Sequence, residues 1–170
     1  MVDINKIILS IKELYYGHIL MPKGFEISQD ILIKDILVHI TQDCPFPFSI
    51  EWDKLNKYII EHFYVEYGLT LNNMMTTGHS FKPNESNFPE PEVNKVDLRT
   101  SPDFVLLYGV DVKNCNVRIY YDDNRRAGRS WDIPLTNNKF LLFPSTQIYH
   151  ISNNQKESLN SIIKITYESI

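Results

Sequence analysis

The chain reads as an α+β protein, mainly β. Its second half is expected to close into a double-stranded β-helix of jelly-roll or cupin-like form, with N-terminal helices packed on one face. Three observations predict this. Helical periodicity is confined to the first 68 residues, β-branched and aromatic runs recur from residue 69 onward, and turn-forming clusters separate those runs at regular spacing. The 170 residues accordingly read as one domain, a helical flank over 1–68 and a β-helix core over 69–170.

Within the flank, Ile4, Ile7, Ile8, Ile11, Leu14 and Tyr15 form a 3.6-residue stripe, predicting an amphipathic helix from Asp3 to Tyr15 that Gly17 stops. Ser28 can cap a second helix carrying Ile31, Leu32, Ile36, Leu37 and Ile40, although its isoleucine content leaves a strand open. The prolines of Cys44-Pro-Phe-Pro-Phe48 turn the chain. Ser49 then begins a third helix through Trp52, Leu55, Tyr58, Ile59, His62, Phe63 and Tyr67, ended by Gly68. His62 on its apolar stripe reads as a packed residue, not a ligand.

Within the core, a strand is expected from Leu69 to Thr76. A long loop over residues 78–100, with Pro83, Pro89 and Pro91, follows it and has room for a short strand near Val93 to Leu98. Val117 to Leu135 spells a hairpin around a polar turn. Lys139-Phe-Leu-Leu-Phe143 reads as a central strand buried on both faces, and further runs at Gln147 to Ile151 and Ser161 to Tyr167 bring the count to seven or eight strands.

Composition narrows the function classes. A net charge of −4 argues against non-specific nucleic-acid binding, which needs a basic face. The apolar Ile7-Ile-Leu-Ser-Ile11 is too short for a signal peptide and no run suits a membrane span. Cys44 and Cys115 form neither a disulfide framework nor a zinc site and read as buried thiols in a reducing cytoplasm. In the hairpin turn, Arg125, Arg126 and Arg129 could grip a phosphate or carboxylate, or could be neutralised by Asp122 and Asp123 around Gly128. No nucleophile elbow or phosphate-cradling glycine loop is present.

The segments Val117-Arg-Ile-Tyr-Tyr-Asp122, Ile133 through Leu141-Leu-Phe-Pro-Ser145, Tyr149-His-Ile-Ser-Asn153 and Ile162-Ile-Lys-Ile-Thr-Tyr167 together resemble the back half of the 2-oxoglutarate/Fe(II) oxygenases. The flavour is similar to small proteins carried by phages of marine cyanobacteria. The resemblance implies a facial triad of two histidines and a carboxylate, the first pair as His-x-Asp, with a basic residue on the last strand for 2-oxoglutarate. This sequence departs from that pattern. It has no His-x-Asp; Phe81 follows His79 by two; Tyr149 stands where the distal histidine falls, with His150 one later and so on the opposite face of a strand. Asn160 or Ser161 stands where the arginine falls, and Lys164 is the nearby cation.

Two expectations follow. One is a phage-type binding module that keeps the roll without an iron centre and engages a viral or host protein, or a second copy as a homodimer, in the host cytoplasm or the virion. The other is a working Fe(II)/2-oxoglutarate oxygenase with a non-standard site, in which His79, His150 and an acid among Glu85, Asp97 and Asp103 hold iron. There Lys164, Arg126 or Arg129 would anchor 2-oxoglutarate.

Overall fold

The computed structural model describes residues 12–19, 23–46, 49–94, 96–120 and 130–170. Nine antiparallel strands and two α-helices are found among them, in the order β1 (Tyr15–His18), α1 (Gln29–Gln42), α2 (Ile50–Tyr67), β2 (Leu71–Phe81), β3 (Ser86–Asn87), β4 (Phe104–Asp111), β5 (Cys115–Tyr120), β6 (Ser130–Leu135), β7 (Lys139–Pro144), β8 (Ile148–Asn153) and β9 (Asn160–Ser169). The strands form a five-stranded sheet, β1-β7-β4-β9-β2, and a four-stranded sheet, β3-β8-β5-β6. This is the jelly-roll arrangement expected from the sequence.

Helix α2 is capped at both ends, whereas the Ser28 side chain makes no cap bond to α1. Ser28 and Ser49 precede α1 and α2, and the Ser49 hydroxyl accepts from the Trp52 amide at 3.1 Å. Gly68 ends α2 in the left-handed region. Trp52, Leu55, Ile59 and Phe63 of α2 are buried, whereas α1 buries only Leu32 and Ile36 and leaves Ile31, Leu37 and Ile40 exposed. His62 packs among the rings of Tyr58, Phe63, Tyr67 and Phe140.

Strict alternation in the large sheet separates two cores. Leu106, Tyr108 and Val110 of β4, Phe140 and Leu142 of β7, and Ile163, Ile165 and Tyr167 of β9 face the helices. Val105 and Leu107, Leu141 and Phe143, and Ile162 face inward, where they meet Val117, Ile119, Ile133, Tyr149 and Ile151 of the small sheet. Two glycines permit the close approaches. A Cβ on Gly78 would lie 2.9 Å from the Ile36 side chain of α1, and one on Gly109 would lie 2.2 Å from the Thr136 carbonyl oxygen.

Several sequence expectations are corrected. Tyr15 and Gly17, assigned to a helix and its stop, belong to β1, because residues 15–18 complete the free edge of β7 in register Tyr15↔Leu142 to His18↔Lys139. The stripe at Ile4 to Ile11 lies outside the described residues. The early strand does not stop at Thr76 but runs on through Gly78 and His79 to Phe81, since β9 offers ten paired partners along it. The loop after it contains the two-residue β3 pairing with β8, and a 3-10 turn at Leu98–Thr100 in place of the strand expected near Val93. Cys115 is buried, its thiol pushed up to about 12 by desolvation, but Cys44 is only half-buried. Among the described residues no helix is long and apolar enough to cross a membrane.

Candidate functional site

Polar chemistry enters the roll on one side, between β2, β8 and β9. Because Ile163 and Ile165 turn toward the helices, their neighbour Lys164 must turn inward; the register Thr77↔Lys164 and His79↔Ile162 sets Thr77 and His79 beside it on the same face. Lys164 Nζ donates to Glu92 Oε1, with only 14% of the lysine side chain and 25% of the glutamate side chain exposed. Glu92 is tethered a second time by its amide, which donates to the Ser145 carbonyl at 3.1 Å. His79 Nε2 lies 3.0 Å from the Thr77 hydroxyl. With Asn87, Pro89, Leu107, Tyr149 and Ile151, His79 and Lys164 line a void of about 20 Å³, room for roughly one water molecule.

Burial, then the charges of Lys164 and His39, opposed by Glu92, hold His79 down to about 4, so its imidazole is neutral at pH 7. Burial, with the Glu92 charge adding, pushes the Tyr149 phenol well above its ordinary range and keeps it protonated.

His150 lies on the other side of β8. Its neighbours Tyr149 and Ile151 fill the inner core, so His150 faces outward, stacked flat on Phe88 with centroids 3.9 Å apart. It stands across from Arg118, which forks onto Asp132 at 2.7 and 2.9 Å. Its Nε2 is buried without a hydrogen-bond partner, and desolvation followed by the Arg118 charge lowers its pKa. The structure therefore does not bring His79 and His150 together.

Nor does it bring the candidate acids to either. Glu85 accepts from the Lys82 amide at 2.7 Å, Asp97 accepts from the Arg99 amide at 3.1 Å within the 3-10 turn, and Asp103 accepts from the Ser169 amide at 2.8 Å. Glu85 and Asp97 serve backbone amides within three residues, and Asp103 serves one on the last strand. A facial triad needs three convergent donors, and among the described residues no group of three or more His, Cys, Asp or Glu could hold a metal ion. Around His79 the acid found among the described residues is Glu92, already paired with Lys164. Arg125, Arg126 and Arg129, with Asp122, Asp123 and Gly128, lie outside the described residues.

Asn160 is fully buried and structural. It accepts from the Lys113 amide at 2.8 Å and donates to Asn153 Oδ1 at 2.7 Å and Gln155 Oε1 at 3.0 Å. Ser161 pairs with Ser80 at 3.3 Å. Sequence reasoning missed Glu92, which reads as a routine surface acid; the alternation of β9 does reveal that Lys164 points inward. A larger cleft of about 350 Å³ opens at the opposite side of the roll among Leu14, Tyr16, Ile119, Trp131, Phe143 and Gln147, and gives Trp131 a cleft wall to form.

Neither a protein-family model nor a curated protein matches the sequence. Solved structures do. AviO1 from Streptomyces viridochromogenes aligns over 92% of this chain and 90% of its own, with a TM-score of 0.63 at 13% identity. A Pseudomonas putida prolyl-4-hydroxylase aligns over 91% and 88%, with a TM-score of 0.60 at 10% identity. HygX from Streptomyces hygroscopicus, solved with nickel and 2-oxoglutarate bound, aligns over 92% and 83%, with a TM-score of 0.59 at 10% identity. The chain thus has the double-stranded β-helix fold of the 2-oxoglutarate/Fe(II)-dependent oxygenase-like enzymes.

Proposed function

We propose that this chain is a binding module built on the oxygenase roll and working without an iron centre. The observation that carries the reading is the filled interior: an inward Tyr149 and the Lys164–Glu92 pair occupy the space between β2, β8 and β9. Contacts with a partner would then fall to the roll's rim, namely the apolar cleft at Trp131 and the loop after β2. The partner class is a viral or host protein, or a second copy, met in the host cytoplasm or the virion. The phage setting rests on the sequence resemblance alone.

A second reading keeps the enzyme, a Fe(II)/2-oxoglutarate-dependent oxygenase with a non-standard site. What favours it is a neutral imidazole, His79, near an inward cation, Lys164, on the last strand. One experiment separates the two. The protein is purified anaerobically with Fe(II), its bound metal is measured, and the measurement is repeated for His79→Ala and His150→Ala. The binding-module reading expects less than stoichiometric iron throughout. Stoichiometric iron that disappears in both variants would overturn it.

A further inference from the structure

Lys139 is the charged residue of β7, a strand otherwise apolar. Alternation puts it on the face of Leu141 and Phe143, which look into the roll, and not on that of Phe140 and Leu142, which meet the helices. It is 9% exposed. Among the described residues no hydrogen bond or ion pair meets its ammonium; its contact is the ring of Tyr16, with Nζ 5.7 Å from the centroid. His18, directly opposite in the ladder, lies 3.2 Å from the Thr136 hydroxyl. A lysine this far out of water normally has a carboxylate beside it, as Lys164 of the same sheet has Glu92. Burial without one lowers the Lys139 pKa.

Tyr16 connects this cation to the cleft at Trp131. It stands opposite Leu141 on the inner face, and it lines the cleft of about 350 Å³ with Leu14, Ile119, Trp131, Phe143 and Gln147. Ile119 and Phe143 are buried there, whereas Trp131 and Tyr16 are 58% and 53% exposed. Gln147, 6% exposed, donates from its amide to the Tyr120 and Ile148 carbonyls, which fixes that wall. The charged residues lining the cleft are Lys12 and Glu13, and the Glu13 carboxylate already accepts from the Tyr15 phenol. What remains is positive: Lys12 at the lining and Lys139 over Tyr16.

We propose that this cleft binds a planar aromatic carboxylate, its rings laid against Trp131 and Tyr16 and its acid end paired with Lys139. Three features choose that ligand. Exposed indole and phenol rings favour stacking on a flat ring system. The space suits a two-ring molecule, being near the lower end of the volumes that hold small ligands. The buried ammonium supplies the countercharge, and a carboxylate beside it removes the cost of leaving it unpaired. The inference deepens the binding-module reading by naming what the Trp131 cleft takes. It concerns the opposite side of the roll from His79, so the iron measurement and this one fail separately.

The full chain is titrated by calorimetry with 2-naphthoate and with 2-naphthamide, which has nearly the same shape and no charge. Both titrations are repeated for Lys139→Met, Lys139→Arg and Trp131→Ala. The indole N–H signals in an NMR titration locate the site: Trp131 should move, and Trp52, 1% exposed, should not. Saturable binding of naphthoate is expected, at least about tenfold tighter than that of the amide. Lys139→Met should bring naphthoate to the level of naphthamide without lowering the melting temperature, since it removes an unpartnered charge, and Lys139→Arg should keep the preference. Trp131→Ala should weaken both ligands. Equal binding of acid and amide, an unchanged naphthoate affinity in Lys139→Met, or no saturable binding overturns the proposal. A dimer in sedimentation that Trp131→Ala dissolves and naphthoate leaves intact overturns it in favour of a second copy in the cleft.

Discussion

Replacing Lys164 by methionine and Glu92 by glutamine, singly and together, probes the interior pair directly. Both side chains are mostly removed from water, with 14% and 25% exposed. Breaking a fully buried pair by deleting one partner costs about 3–5 kcal/mol, because the survivor is left charged and unpaired. Residual solvent access here reduces that to about 2–3 kcal/mol for either single variant. The double variant leaves no stranded charge and should lose less than the sum, giving a coupling of about 2 kcal/mol in urea unfolding. The same proteins carry an internal control in His79. Lys164 holds that imidazole down and Glu92 raises it, so Lys164→Met should move the His79 pKa up from about 4 while Glu92→Gln moves it further down, read from the ring proton by NMR titration. A coupling below about 0.5 kcal/mol, or His79 shifts of the same sign in both variants, would refute the placement of the pair beside His79.

The remaining predictions concern pH, packing and the buried amide. His79 is neutral in the fold and titrates at about 4, against 6.5 when unfolded, so below pH 6.5 the unfolded chain takes up the proton first. Stability should therefore be complete above pH 6.5 and fall as pH drops from there toward 4, with His150, also lowered, acting in the same direction; His79→Gln should flatten the profile. Gly109→Ala forces a Cβ to within 2.2 Å of the Thr136 carbonyl, a backbone atom that cannot rotate away, and should cost about 3 kcal/mol or more in chemical denaturation. Asn160→Ala strands the Lys113 amide and the side chains of Asn153 and Gln155 and should cost about 2–3 kcal/mol, with lowered melting temperature and intact secondary structure by circular dichroism.

What could be read from the sequence was whatever a local rule decides. The caps at Ser49 and Gly68, the doubly buried run of β7, and the outward turn of His150 beside an inward Tyr149 all follow from period and end chemistry. What could not be read was decided by partners far along the chain. Residues 15–18 are a strand because β7, more than 120 residues later, has an edge to fill. Gly78, His79 and Ser80 have weak strand preference but are carried by their pairing with β9. Glu92 lies in a stretch without period, and its partner is 72 residues away, so nothing nearby marks it as an interior group. The exposed Ile31, Leu37 and Ile40 show the reverse error, apolar residues on a helix that fully buries only Leu32 and Ile36.

The distribution of polarity inside the roll carries the last step. The half bounded by β5, β6 and β7 is filled by Val117, Ile119, Ile133, Leu141 and Phe143. The half bounded by β2, β8 and β9 holds His79, Lys164 and, from the loop after β3, Glu92. A core selected for stability alone would fill both halves alike, because a buried ion pair rarely exceeds well-packed apolar groups in net stabilisation. The pair does something an apolar contact does poorly: with the Glu92 amide on Ser145, it fixes one loop at one place on the last strand. The flat Phe88–His150 stack and the β3–β8 pairing fix the same loop from the outer side of the small sheet. A segment tied to the inner face of one sheet and the outer face of the other is held in one place at the side of the roll where its polar groups collect.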